Sequence, residues 1–359
     1  MPIAVQPDTP ISLVTGATGF TGSHLVRSLV RDGVRVRVMA RSAERAKALL
    51  PPDVEIVQGE ATDAAAVARA VQGTQVVYHL AAAYREARHG PQYYWDVNVE
   101  STRLLLNAAH SEGVERFVHC STVGVMSHIA NPPADEQHPH QPADVYQRTK
   151  SEAEKLALAE HRQRGTPVTV ARPTAIYGPG DTRLLKMFRR IADGRFVILG
   201  SGEIYYHMVH IDDLVSGLRL LGEHPRAVGE IFILGGEHYY KLRAILEMIA
   251  RATGRGPPWL RLPAWPFQVA GSICESVCIP LGIEPPLYRR RVDFFTKSRA
   301  FSIDKAKHLL GYAPAVDLET GVRSTVEWYR AHGFLPAGSD PAAGTPKNHE
   351  RSTAAHPHQ

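Results

Sequence analysis

The stretch Thr15-Gly16-Ala17-Thr18-Gly19-Phe20-Thr21-Gly22 constrains this chain more than any other. It follows an apolar run, Ile11 to Val14, that reads as a buried strand. It precedes His24 to Val30, where apolar residues recur at helical spacing. A strand that turns through glycines into a helix start is a phosphate cradle. Gly16 permits the tight turn, Gly19 lets backbone approach a pyrophosphate, and Gly22 lets the helix pack on the strand. The helix start supplies N–H groups and the positive end of its dipole. The spacing is GxxGxxG rather than GxGxxG. Glycines between a strand and a helix also serve as plain tight connections, so the dinucleotide reading rests on the strand–turn–helix context.

The segments that follow extend that context. Val34 to Met39 alternates apolar and polar residues and predicts a second strand, ending at Ala40-Arg41-Ser42. NAD-binding folds commonly place an acid here, about 20 residues past the glycines, to hold the ribose hydroxyls. This chain has Arg41 instead, with Arg37 and Ser42 nearby. A guanidinium suits a 2′-phosphate, so NADP is favoured, with NAD as the alternative. Arg41 also reads as an ordinary solvated loop residue. Further strands are expected at Val54–Val57, Val76–Leu80, Phe117–Cys120 and Val168–Ala171. Helices are expected at Ala64–Val71, from Asn98 onward, and from Asp144 to about Arg164.

This alternation implies an α/β fold of Rossmann type, a doubly wound parallel sheet with both faces covered. Right-handed crossovers place the glycine turn, Ala81 to Ala83 and Ser121-Thr122 on one edge, where ligands bind. Residues 1–175 are then a dinucleotide-binding domain. Residues 176–335 are mainly a smaller mixed α/β substrate lobe with closing helices. Parts of 205–236 return to the sheet, at Val209–Leu214 and Glu230–Gly236. Residues 336–359 lack periodicity and are expected to be a disordered tail.

Composition sets outer limits. Of 359 residues, 44% are hydrophobic and 21% charged, as in a globular protein, and the net charge is +5. The basic residues are dispersed, which argues against nucleic acid as a partner. Three cysteines, Cys120, Cys274 and Cys278, with no CxxC, point to a reducing compartment and a cytoplasmic location. Cys274 and Cys278 lack companions at ligand spacing, so no metal is expected. Met1 to Pro10 does not read as a signal peptide, and no uninterrupted apolar run reaches about 18 residues. The most apolar stretch, Trp259 to Ile283, has three readings: a cap on an apolar substrate site, a membrane-surface contact, or core of the small lobe.

Tyr146 and Lys150 lie four residues apart on an expected helix, which stacks them on one face. A free phenol is too weak an acid for neutral-pH catalysis, and a neighbouring ammonium favours the phenolate. A phenol tuned in this way can exchange a proton with an alcohol or a carbonyl. YxxxK also arises by chance on surface helices. Thr122 ends a strand at the same edge, where its hydroxyl can hold a substrate oxygen. Asn98 can anchor a water or the helix that carries the lysine. Both also fit plain helix caps.

Taken together, the TGATGFTG turn, Tyr78-His79-Leu80-Ala81-Ala82, Asn98-Val99-Glu100-Ser101-Thr102, Ser121-Thr122, Tyr146 with Lys150, Arg172 to Gly180 and Val209-His210-Ile211-Asp212-Asp213 resemble the extended branch of the short-chain dehydrogenase/reductase superfamily. The resemblance implies an NAD(P)-binding Rossmann domain and a catalytic set of Thr122, Tyr146 and Lys150, with Asn98 in support. It implies cofactor contacts at Gly16, Thr18, Gly19, Phe20, Thr21, Gly22, Arg41, Ala81, Tyr146, Lys150 and Pro173. It further implies a homodimer. At the adenine-contacting position the family commonly has Asp, whereas this chain has Glu60 followed by Ala61. Nucleotide-sugar members usually carry an Arg-Asp pair where this chain has Tyr206-His207. Loss of that guanidinium fork is costly for a diphosphate. With Trp259, Trp265, Phe267, Phe294 and Phe295 in the lobe, it leans towards an apolar or ring-containing small molecule. The closer resemblance is to dihydroflavonol-reductase-like and 3β-hydroxysteroid-dehydrogenase-like members. The expected reaction interconverts a secondary alcohol and a ketone. The alternative is a nucleotide-sugar epimerase or dehydratase with tightly bound NAD.

Overall fold

The computed structural model describes residues 10–84, 89–278 and 289–337. The expectations for residues 1–9, for 279–283 of the apolar stretch, and for the tail from 338 lie outside the described residues.

The first half alternates as expected. It runs β1 (Ile11–Thr15), α1 (Phe20–Arg31), β2 (Arg35–Ala40), α2 (Ala43–Leu49), β3 (Glu55–Gln58), α3 (Ala64–Val71) and β4 (Val76–His79). It continues with α4 (Pro91–Trp95), α5 (Ser101–Glu112), β5 (Arg116–Cys120), α6 (Val145–Arg164) and β6 (Val168–Pro173). Local chemistry sets the helix starts. Asp63 caps α3 by accepting from the N–H groups of Ala65 and Ala66, and Asp144 caps α6 by accepting from that of Gln147. The helix expected from Asn98 is less regular than its sequence suggests. A π-helical turn, Asp96–Glu100, joins α4 to α5 and holds Asn98 within it. Such turns recur at functional sites.

The second half comprises β7 (Ala175–Tyr177), α7 (Leu185–Ala192), β8 (Ile198–Leu199), β9 (Tyr205–His210), α8 (Ile211–Glu223), β10 (Ile231–Leu234), β11 (Tyr239–Lys241) and α9 (Leu242–Thr253). The chain then forms β12 (Arg261–Leu262), α10 (Trp265–Cys278), α11 (Arg289–Thr296), α12 (Asp304–Leu310) and α13 (Leu318–Ala331). The main sheet is parallel in the order β10-β6-β5-β4-β1-β2-β3. Strand order reverses between β1 and β4, which opens a crevice at their C-terminal ends.

Of the two expected returns to this sheet, only β10 makes one, beside β6. β9 instead pairs with β7 and β11 in a three-stranded sheet. Residues 211–214 belong to α8, because Asp212 and Asp213 in its first turn favour a helix start and His210 accepts from the Asp212 N–H.

Three apolar cores result among the described residues. One, including Leu25, Val118, Leu214 and Leu218, lies where α1 and α8 cover the sheet. A second, including Leu13, Val67, Leu105 and Phe117, lies under α3, α5 and α6. The lobe has its own, with Phe188, Ile245, Val322 and Tyr329 from α7, α9 and α13. Trp259, Trp265, Val269, Ile273 and Val277 join none of them and are exposed, so these residues are not lobe core. Among the described residues no helix is long and apolar enough to cross a membrane.

Candidate active site

The glycine turn is built for a close approach. Gly16 has φ +70, and a Cβ there would stand 2.7 Å from the Ala81 nitrogen. Only glycine lets the turn and the end of β4 touch in this way. A Cβ on Gly22 would strike the Gly16 carbonyl and Ala17. This glycine therefore seats α1 on the turn itself rather than on the strand. Gly19 caps α1 with no side-chain bond, so the first-turn N–H groups of Phe20 and Thr21 are left for a ligand. Phe20 is fastened to the lobe's approach, with the Arg183 guanidinium 5.0 Å above its ring and His24 at its edge. The cradle fits a dinucleotide pyrophosphate.

A buried polar chain carries this geometry across the sheet edge. Thr102 donates to the Asn98 carbonyl at 2.7 Å, so it accepts from His79 Nε2–H at 2.9 Å. His79 Nδ1 then accepts from Thr15 Oγ1 at 2.8 Å, and Thr15 Oγ1 accepts from the Ala81 N–H at 3.2 Å. Burial, with a smaller effect of Lys150, pushes the His79 pKa down to about 3, which keeps the imidazole neutral. Asn98 Oδ1 accepts from the Ala83 N–H at 2.7 Å, and its amide donates to Thr149 Oγ1 at 2.9 Å. Thr149 lies on α6 between Tyr146 and Lys150. Asn98 thus holds α6 against the loop after β4.

Tyr146 and Thr122 meet. Thr122 caps the 3-10 turn Val123–Met126, and its hydroxyl is near enough to the Tyr146 phenol to act on it. The Tyr84 ring packs edge-on against Tyr146 at 4.9 Å. Burial pushes the Tyr146 pKa up, with Tyr84, Cys120 and Asp144 adding to it, while Thr122 pulls it down. The phenol therefore holds its proton. Lys150 is buried one turn on. Burial pushes its pKa down, and Cys120 and Glu154 push it up. Cys120 is the group that acts on both Tyr146 and Lys150. Direct relief of the phenol by the ammonium, expected from the four-residue spacing, does not appear among these influences.

Sequence reading missed what lies behind this pair. Glu154 is buried and bonds Arg172, with Nε–Oε2 at 3.1 Å, and accepts from Ser121 Oγ at 2.6 Å. One more helical step past Tyr146 and Lys150 leads to Glu154, so the four-residue spacing was the available signal. Nothing local announced that Arg172, Ser121 and Cys120 would join it.

At the far side of the crevice Arg41 is exposed just past β2, and Ser42 caps α2. Arg37 does not stand beside them. It binds Glu55 at 2.8 Å and the Ala70 carbonyl at 3.1 Å, which removes it as a phosphate ligand. Glu60 is exposed, with Thr62 3.5 Å from its carboxylate, and Ala61 packs against the second core. Pro173 ends β6 beside Leu234. On β9, the Tyr206 ring packs against Phe294 at 5.2 Å, and His207 Nε2 donates to the Gly236 carbonyl at 2.8 Å. Trp259 and Trp265 face outward.

The model of the NAD dependent epimerase/dehydratase family matches residues 12–235. The chain is 35% identical over 341 residues to the "Sterol demethylase protein B" of Methylococcus capsulatus, covering 90% of this chain and 99% of that one. It is 28% identical to the "3beta-hydroxysteroid-dehydrogenase/decarboxylase isoform 2" of Arabidopsis thaliana, over 91% of this chain but only 63% of that longer relative. Among solved structures, the dTDP-glucose 4,6-dehydratase DesIV of Streptomyces venezuelae, with NAD bound, superposes with a TM-score of 0.73. The two are 27% identical, over 91% of this chain and 99% of that one. With the cradle, the sheet order and these likenesses in agreement, the chain belongs to the NAD dependent epimerase/dehydratase family and is an NAD(P)-dependent enzyme of the extended short-chain dehydrogenase/reductase type.

Proposed function

We propose that the chain is an NADP-dependent oxidoreductase that interconverts a secondary alcohol and a ketone on an apolar, ring-containing substrate. The nearness of the Thr122 hydroxyl to the Tyr146 phenol, at the sheet edge that carries the glycine cradle, supports this reading most directly. The nicotinamide, when bound, supplies or accepts the hydride. The chain's own residues handle the oxygen. Thr122 and Tyr146 both present hydroxyls to it, and Tyr146, kept protonated by burial, gives its proton as negative charge grows on that oxygen. Lys150, buried on the same helix, holds the cofactor ribose and offsets the resulting phenolate. Arg41, exposed where an acid would repel a 2′-phosphate, supports NADP over NAD.

The substrate class rests on Tyr206 and His207, which put an aromatic edge and a neutral ring where a diphosphate would need a guanidinium. The names of the two relatives, a sterol demethylase protein and a hydroxysteroid dehydrogenase, agree with an apolar ring system. The likeness to a dTDP-glucose dehydratase favours a second reading, a nucleotide-sugar enzyme with resident NAD. A panel assay separates the two. NADPH oxidation should respond to cyclic ketones, steroids among them, and not to UDP- or dTDP-sugars. A purified protein that carries NAD and turns over a nucleotide sugar would establish the second reading instead.

A further inference from the structure

Helix α10 shows an apolar stripe to solvent. A surface helix normally buries its apolar stripe and shows polar residues to solvent. On α10 the side facing the protein carries Phe267, Gln268, Gly271, Ser272, Cys274, Glu275 and Cys278, with Gln268 tied to Thr296 of α11 at 3.5 Å. The outward stripe is Trp265, Val269, Ile273 and Val277, at successive turns, which are 67%, 52%, 61% and 55% exposed. The stripe is continued by Trp259 at 82% exposure, just ahead of β12. Contiguous apolar exposure on this scale marks an interaction surface.

Charge indicates what covers it. From Arg255 to Cys278 the chain has one acid, Glu275, and that residue lies on the inward side. The Trp259 end has an arginine rim. Arg195 and Arg255 line the cleft in which Trp259 and Leu260 sit, Arg261 follows on β12, and all three are exposed. In the sequence, α11, which packs on α10, opens with Arg289-Arg290-Arg291. A second copy docked by a two-fold axis would set one arginine-rimmed patch against another, because such an interface pairs one patch with itself. An anionic lipid surface suits both parts. Its acyl boundary takes the stripe, its headgroups take the guanidinium rim, and tryptophan is favoured at that depth.

We infer that Trp259 and the outward stripe of α10 seat this enzyme on an anionic bilayer surface, lying in the interface without crossing it. This inference does not depend on which substrate is turned over.

The test is co-sedimentation of the full chain with phosphatidylcholine vesicles and with vesicles also containing phosphatidylglycerol. The wild type should pellet with the mixed vesicles, more weakly with phosphatidylcholine alone, and less as salt rises. Val269→Glu with Ile273→Glu should lower the partition about tenfold or more. Arg195→Glu with Arg261→Glu should reduce binding to the mixed vesicles to the phosphatidylcholine level. All variants should keep the wild-type melting temperature and NADPH titration. Absence of wild-type partition into either vesicle would overturn the inference, as would undiminished partition of the Val269/Ile273 variant. It would equally fall if the wild type were a dimer in solution that Ile273→Glu converts to monomer, since a second copy would then cover the stripe.

Discussion

Arg172, at the end of β6, and Glu154, on α6, form a buried ion pair one helical turn beyond Lys150. The pair ties together three elements that carry the site. Glu154 belongs to the helix of Tyr146 and Lys150, Ser121 next to Thr122 donates to it, and Arg172 precedes Pro173. Arg172 also reaches the Glu136 carbonyl at 3.0 Å. The pair fixes where Thr122 stands relative to Tyr146 without touching the reacting atoms.

Removal of one partner leaves a buried charge uncompensated. Glu154→Gln should cost about 3–5 kcal/mol of stability by denaturant unfolding. Glu154→Leu with Arg172→Met should cost clearly less than the two single changes added together, because no charge is left stranded.

Acid should unfold the protein in two windows. Burial raises the Glu154 pKa, but bonds from His140, Arg172 and Ser121 outweigh it and leave the carboxyl at about 2, against an ordinary 4.5. A carboxylate depressed in the fold stabilises above its unfolded pKa, and that contribution is lost as pH falls from 4.5 towards 2, about 3 kcal/mol in all. His79 has a folded pKa of about 3 against 6.5. Below 6.5 the unfolded chain takes a proton that the fold refuses, so this loss begins earlier and continues down to about 3. His119, also buried, shifts in the same direction. Melting temperature against pH should therefore begin to fall just below 6.5. A profile flat down to pH 5 would contradict the buried neutral His79.

Tyr146→Phe removes the proton donor and leaves the cradle intact. Turnover should drop about 10²–10⁴-fold with NADPH affinity nearly unchanged. Thr122→Ser should retain most activity and Thr122→Val should not, since the hydroxyl is the part that pulls the Tyr146 pKa down. Steady-state rates and a fluorescence titration check both.

Gly16→Ala places a side chain at φ +70 and drives its Cβ into the Ala81 backbone. Strain of about 1–3 kcal/mol, together with displacement of the turn, should lower the melting temperature and abolish NADPH binding by titration. Unchanged binding would mean that the cofactor does not use this turn.

Arg41→Asp should weaken NADPH about 10–100-fold and leave NADH equal or better, since a charged hydrogen bond to the 2′-phosphate is exchanged for repulsion. Equal losses for both cofactors would assign Arg41 a structural role.

The nucleotide-binding half could be read directly from the amino-acid order. Its information is local: a glycine turn between strand and helix, periods that separate strands from helices, and acids that cap α3 and α6. Crossover handedness then places Gly16, Ala81, Thr122 and Tyr146 at one edge with no long-range contact known in advance. Only tertiary packing decided that β9 leaves the main sheet and that Arg37 binds Glu55 instead of standing by Arg41. Packing alone also joined Glu154 to Arg172 and Ser121, and turned the apolar stripe of α10 outward. Each of these depends on partners far apart in the chain, and burial makes charge pairing and stripe orientation a property of the neighbours rather than of the residue.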